Sequence, residues 1–150
     1  MPRGARRLPR ACLEALDRAD HVLHGGDLVA ASVLEELSAI APVDAVAGNM
    51  DDATLQAALP ARRTVEIEGV RIGMVHDGGP RLAREERLRR AFPECGAIIY
   101  GHTHVPQLER HGDVWIVNPG SPTERRGAPR HSMALLRVDD GTLEPLLVPL

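Results

Sequence analysis

The stretch IIYGHTHVP, residues 98–106, sets an apolar run directly against two histidines spaced two apart. The run Ala97–Tyr100 reads as a short buried strand, and the glycine after it as the turn that ends it. Imidazole is the commonest metal ligand near neutral pH. Two of them at i and i+2 on extended backbone point roughly the same way. The stretch therefore predicts a metal at the mouth of a buried strand, and further ligands elsewhere in the chain.

Reading outward from that strand gives alternating elements. Helices are expected over Leu8–Ala19, Ala30–Ile40, Asp52–Leu59 and Arg81–Phe92, the last with the charged run REERLRR at 84–90 as a solvated face. Strands are expected over His21–His24, Val43–Ala47, Thr64–Glu68, Val70–His76 and Ala97–Tyr100. From Val105 onward short β runs dominate: Gln107–Arg110, Val114–Val117, Ser132–Val138 and Leu143–Val148. No internal repeat or domain boundary interrupts 1–150, so one α/β domain of two packed sheets with helices outside is expected.

Composition narrows the function classes. The 150 residues can bury a core without disulfides, and two cysteines, Cys12 and Cys95, make no disulfide framework, which fits a cytoplasmic setting. The net charge of −3 gives no general attraction to nucleic acid, and Phe92, Tyr100 and Trp115 are too few aromatics for a base-stacking platform. The apolar runs are too short to cross a membrane. All 18 basic residues are arginine, which reads as coding bias. The Arg-rich opening MPRGARRLPRACLEAL lacks an acid before Glu14 and reads as a polar loop over Met1–Arg7 entering the first helix.

Metal-capable groups recur at the strand ends. Asp27 follows HGG, Asn49 follows AG, His76 ends GMV, and His102 and His104 follow IIYG. In α/β folds ligands gather beyond the carboxyl ends of strands. Each motif alone is common: GD and GN are turn dipeptides, and a lone histidine is more often structural. The ordered set is far more specific.

In order and spacing, HGGD at 24–27, GNMD at 48–51, VH at 75–76, GHTH at 101–104 and NPGS at 118–121 resemble the calcineurin-like metallophosphoesterases, most of all their small prokaryotic YfcE-like phosphodiesterase branch. The resemblance implies a four-layer αββα sandwich of two mixed sheets flanked by helices. It implies a dinuclear centre of Mn, Zn, Fe or Ni, manganese first, in which a metal-bridging hydroxide attacks a small phosphodiester without a serine or cysteine nucleophile. Carried over by position, Asp27 would bridge the two cations, Asn49, His76 and His102 would bind one, and His104 the other. Ser121, Arg125 and Arg126, in the loop after NPG, are weaker candidates for substrate contact, since arginine suits phosphate. A homodimer is compatible with this reading.

Two departures qualify it. Met50 stands where many superfamily members carry a histidine, and a thioether cannot protonate a leaving group. That favours esters with good leaving groups. Asp51 is either a support for the site or a turn or helix cap. Second, the family's opening strand ending in Asp-x-His, which supplies both remaining ligands of one metal, has no counterpart before GGD, so a first, central parallel strand is expected to be missing. His21 and His24 are poorly placed to substitute: one begins its strand and the other reads as loop support. His111 reads as exposed and His131 as structural. The alternatives are a catalytically impaired scaffold on the same fold, as in the retromer scaffold subunit, and, less favoured, a nuclease.

Overall fold

The computed structural model describes residues 7–150, so all of the loop expected over Met1–Arg7 except Arg7 lies outside the described residues. The elements in order are α1 (Arg10–Leu16), β1 (Val22–His24), α2 (Ala31–Ser38), β2 (Val43–Ala45), α3 (Ala53–Ala58), β3 (Arg62–Ile67), β4 (Val70–Val75), α4 (Arg84–Ala91), β5 (Ala97–Tyr100), β6 (Gln107–His111), β7 (Val114–Asn118), β8 (Ser132–Asp139) and β9 (Thr142–Pro149).

Each expected helix is present but shorter, for local reasons. Pro9 sits at the N-cap of α1 and keeps Leu8 out of the helical region. Ala83, at φ 54°, delays α4 to Arg84. Asp52 caps α3 by accepting the Leu55 N–H. The β3–β4 hairpin turns on Glu68 and Gly69, at φ 47° and 79°, the pair of left-handed residues a tight two-residue hairpin requires.

Five strands form one sheet in the order β3-β4-β5-β7-β6, with β4, β5 and β7 parallel at its centre. Alternation along β5 shows how it is buried on both faces. Ala97 and Ile99 join a core with Ile72, Met74 and Val117, and Ile98 and Tyr100 join one with Leu88 and Phe92 of α4. Against the first face pack Leu23 of β1 and Ala134, Leu136 and Val138 of β8. The pairs β1-β2 and β8-β9 thus make up a second β layer. Leu37 of α2, Leu55 of α3 and Leu16 of α1 close over β2. The result is the expected α/β sandwich of four layers.

The second β layer is interrupted. A cavity of about 1180 Å³ is lined by every residue from His21 to His24 and from Ser132 to Val138. Consecutive residues, not alternate ones, mean that β1 and β8 meet this cavity edge-on. Ile72, Ile99 and Val117 line it from the five-stranded sheet, and Ala11, Cys12 and Ala15 from α1. It therefore has an apolar floor and roof, with strand backbone along both sides. No helix among the described residues is long and apolar enough to cross a membrane.

Candidate metal centre

The carboxyl ends of β1, β2, β4 and β5 deliver one candidate ligand loop each, so Asp27, Asn49, His76 and His102 come from four separate strands. The structure brings these four side chains together. His76 Nε2 is 3.0 Å from Asn49 Oδ1, 3.3 Å from His102 Nδ1 and 3.4 Å from Asp27 Oδ2. His102 Nδ1 is 3.1 Å from Asn49 Oδ1.

The tautomer of His76 makes this convergence informative. Its Nδ1 lies 2.7 Å from the Gly25 carbonyl, which can only accept, so Nδ1 carries the proton. In the neutral ring Nε2 is then a lone pair, and it faces an amide oxygen, a carboxylate oxygen and a second imidazole nitrogen. His102 Nδ1 can itself donate a proton here, but the amide and carboxylate oxygens beside the His76 lone pair are acceptors that a cation would hold together. Ligands about 2.0–2.2 Å from one ion stand roughly 3.0–3.5 Å from each other, and all four separations given above lie in that range. The donor set fits a divalent metal.

Electrostatics point the same way. Burial would raise the Asp27 carboxyl, but hydrogen bonds from His76 and the Met50 N–H outweigh it and hold the pKa at about 2. Burial would lower His76, but Asp27 and the Gly25 carbonyl raise it above the ordinary value. His104 joins Asp27 in lining a separate small recess; burial, then the Arg126 charge, lowers its pKa and keeps it neutral.

The loops are held in costly conformations. Asp27, His102 and His104 sit at φ 61°, 62° and 59°, and Val29, a β-branched residue, at 77°. Such strain persists only where the surroundings enforce it. Asp51 does so for two loops, its carboxylate accepting the Val29 N–H at 2.8 Å and the Gly48 N–H at 2.7 Å. Asn118, fully buried, donates to the Gly101 carbonyl and the Thr103 hydroxyl, both at 3.0 Å, and accepts from the Gly120 N–H. Of the two roles open to Asp51, support of the site is the one it fills; the helix cap belongs to Asp52. Asn118 went unassigned in the motif reading, although NPGS contains it. Its partners are main-chain and hydroxyl groups that only the fold brings near.

Two glycines are obligatory. A Cβ on Gly48 would lie 2.1 Å from the Asp27 nitrogen, and one on Gly26, already at φ +93°, 2.6 Å from His76 Nδ1.

The loop after β7 is more structural than expected. Ser121 is buried, and its Oγ accepts the Thr123 and Glu124 N–H groups. Arg125 donates to the Pro129 carbonyl of its own loop, and Arg126 to the His102 carbonyl at 2.7 Å. Of these three, Ser121 and Arg126 line the small recess beside Asp27 and His104. His24 is half-buried, its Nδ1 atom shielded and without a hydrogen-bond partner, and desolvation drives its pKa down to about 3. His21 pairs with Asp44 at 2.8 Å, a strand-to-strand tie. A second donor group, Glu85, Glu109 and His111, lies on α4 and β6. There Gln107 donates to Glu85, and His111 pairs with Glu109.

A model of the calcineurin-like phosphoesterase superfamily domain matches residues 4–141. The chain belongs to that superfamily. A protein of Methanothermobacter thermautotrophicus named "Probable metallophosphoesterase" is 35% identical over 150 residues, covering 99% of this chain and 86% of its own. The phosphodiesterase YfcE of Escherichia coli K12 is 33% identical over 115 residues, 73% of this chain and 60% of YfcE. The crystal structure of Vps29 from Entamoeba histolytica complexed with zinc superposes with a TM-score of 0.76 at 25% identity, covering 99% of this chain and 93% of Vps29. For this phosphoesterase the motif resemblance and the αββα fold both stand.

Proposed function

We propose that the chain is a metal-dependent phosphoesterase that hydrolyses small phosphodiesters. The observation that carries this reading is the convergence of the Asp27, Asn49, His76 and His102 side chains at four strand ends, within 3.0 to 3.4 Å of one another around His76 Nε2. Asn49, His76 and His102 would hold one divalent cation, His104 the other, and Asp27 would serve both; manganese, zinc, iron and nickel all suit these donors. Bound metal would supply Lewis-acid stabilisation of the phosphate oxygens and a more acidic water. The protein's share is to keep Asp27 ionised, to fix the His76 tautomer through Gly25, and to hold the loops in their strained conformations. Met50 offers no proton to a leaving group, so aryl esters, which need none, should be the better substrates. Cys12 and Cys95 are buried with raised pKa values and belong to the core, not to this chemistry.

The test is hydrolysis of bis(p-nitrophenyl) phosphate with Mn²⁺ and with chelator. Turnover should require metal, and Asp27→Ala should cost more than His104→Ala, because one carboxylate serves both cations. Turnover that persists in chelator would overturn the mechanism. A scaffold reading is favoured by one observation: among the described residues, the second cation would have only Asp27 and His104. Tight metal binding without turnover would support it.

A further inference from the structure

The β8–β9 pair carries apolar residues on both of its faces. Alternation sends Ala134, Leu136 and Val138 into the core against the five-stranded sheet. The residues between them point outward, and the antiparallel register sets them in rungs: Met133 opposite Val148, Leu135 opposite Leu146, Arg137 opposite Glu144 and Asp139 opposite Thr142. Leu37 of α2 and Leu55 of α3 close over β2, but Leu135 is 42% exposed and Leu146 58%. Both also border the cavity beside β8, so α1 does not seal them. Arg137 and Glu144 are placed for a cross-strand ion pair, yet among the described residues neither has an ion-pair partner. The outer edge of β9 is closed to a further strand, because Pro145 and Pro149 remove N–H donors there. The open surface is therefore the face, with exposed leucines beside two unpaired opposite charges.

We propose that two copies of this chain meet on the outer face of β8–β9, about a two-fold axis that runs along the strands. Such an axis turns β8 of one copy onto β9 of the other and keeps each rung at its own height. Leu135 then meets Leu146 of the second copy, and Arg137 meets Glu144 of the second copy, each contact being made twice. Asp139 meets Thr142, so no rung sets like charges opposite each other. The charges left unpaired within one chain are paired across the axis, and this self-complementarity selects a second copy over an unrelated protein. The two eight-residue strands give a face about 27 Å long and about 10 Å wide. That is narrow beside the about 800 Å² per partner of stable complexes, so the dimer is weak and concentration-dependent. Neither the contact nor its test depends on metal or on turnover.

Sedimentation velocity of the full chain, in chelator so that no metal bridges copies, and from micromolar to millimolar concentration, tests it. Wild type should pass from monomer to dimer across that range. Leu146→Glu puts a charge against Leu135 of the second copy and should weaken the dimer at least tenfold. Arg137→Glu sets carboxylates opposite one another, and Glu144→Arg sets guanidinium groups opposite one another. Each variant alone should stay monomeric, because its substitution enters the interface twice. An equimolar mixture of the two should dimerise again, since each copy carries the charge the other lacks. The mixture restores no pair within either chain, so its recovery reports contact between copies alone. A wild type that stays monomeric throughout overturns the proposal, whether or not the face captures another protein. So does a dimer that Leu146→Glu leaves intact, or a mixture that fails to recover while melting curves show both variants folded. Salt supplies a measurement without any substitution: raising it should weaken the wild-type dimer several-fold, and a dimer that salt strengthens overturns the charge pairing.

Discussion

His24 should govern the acid sensitivity of the fold. Its ring is half-buried at the end of β1, the Nδ1 atom is shielded and has no hydrogen-bond partner, and desolvation lowers the pKa to about 3. In the unfolded chain a histidine titrates near 6.5. The folded value lies below the unfolded one, so His24 favours folding fully above about pH 6.5. That contribution is lost as the pH falls toward 3. Linkage gives about 1.4 kcal/mol per pH unit within that window. Between pH 7 and pH 5 the loss is about 2 kcal/mol, most of it below pH 6.5.

Substituting His24→Leu removes the titration and replaces an unsatisfied nitrogen by apolar volume. At pH 7 the variant should be as stable as wild type or more so, because an orphaned buried polar group costs about 1–3 kcal/mol. Urea unfolding in chelator, at pH 7 and pH 5, measures both quantities. Asp27 titrates lower, near 2, and contributes little in this interval. His76 is present in both proteins and cancels in the comparison. With a urea slope of about 2 kcal/mol/M, the wild-type midpoint should fall by about 1 M more than that of the variant. Equal falls would mean that His24 takes up a proton in the folded state at no cost, and would refute the burial argument.

Three further outcomes are expected. Gly48→Ala places a Cβ 2.1 Å from the Asp27 nitrogen, so calorimetric affinity for Mn²⁺ should drop at least tenfold and stability by about 1–3 kcal/mol; an unaffected titration would show that the loops yield freely. Asn118→Ala leaves the Gly120 N–H without its acceptor and takes a donor from the Gly101 carbonyl and the Thr103 hydroxyl, and urea unfolding should register a loss of about 1–3 kcal/mol together with weaker metal binding; loss of stability with metal affinity intact would count against its role in holding the GHTH loop. An extended segment fused upstream, with alternating apolar residues and ending in Asp-x-His, should occupy the cavity between β1 and β8 and raise both metal stoichiometry and melting temperature; if neither moves, that cavity is not a strand site.

What could be read from the sequence follows from locality. Asp27, Asn49, His76 and His102 each stand next to a glycine or at the end of a short apolar run, with His104 two residues beyond His102, so the motif and its strand are visible in one window of ten residues. The same holds for the β3–β4 hairpin, whose turn is Glu68–Gly69. The supports were less legible. Asp51 accepts N–H groups from Val29 and Gly48, and Asn118 reaches back to Gly101 and Thr103. Partners that are backbone groups leave no side-chain signature. Ser121, Arg125 and Arg126 invite a substrate-contact reading from their place in the loop after NPG and from the fit of arginine to phosphate. Their bonds go to the Thr123 and Glu124 N–H groups, to the Pro129 carbonyl and to the His102 carbonyl, partners that composition cannot reveal.

The strain and the supports explain each other. Left-handed backbone at Asp27 and His102 brings a carboxylate and an imidazole from different loops toward His76 and Asn49. Regular β geometry would carry each side chain on along its own strand. Each such conformation costs about 1–3 kcal/mol, and the acceptors it gathers repel one another until a positive charge lies between them. Nothing inside the ligand set offsets that cost. The groups that do are placed one step outward: Gly25 fixing the His76 ring, Asp51 tying two loops, Asn118 and Arg126 holding the GHTH turn. For a cation held here, loops tied in this way would leave little of its binding energy to be spent on ordering. It follows that the outward residues should control metal affinity almost as strongly as the ligands themselves, and that altering one should weaken binding without removing any donor atom from the site.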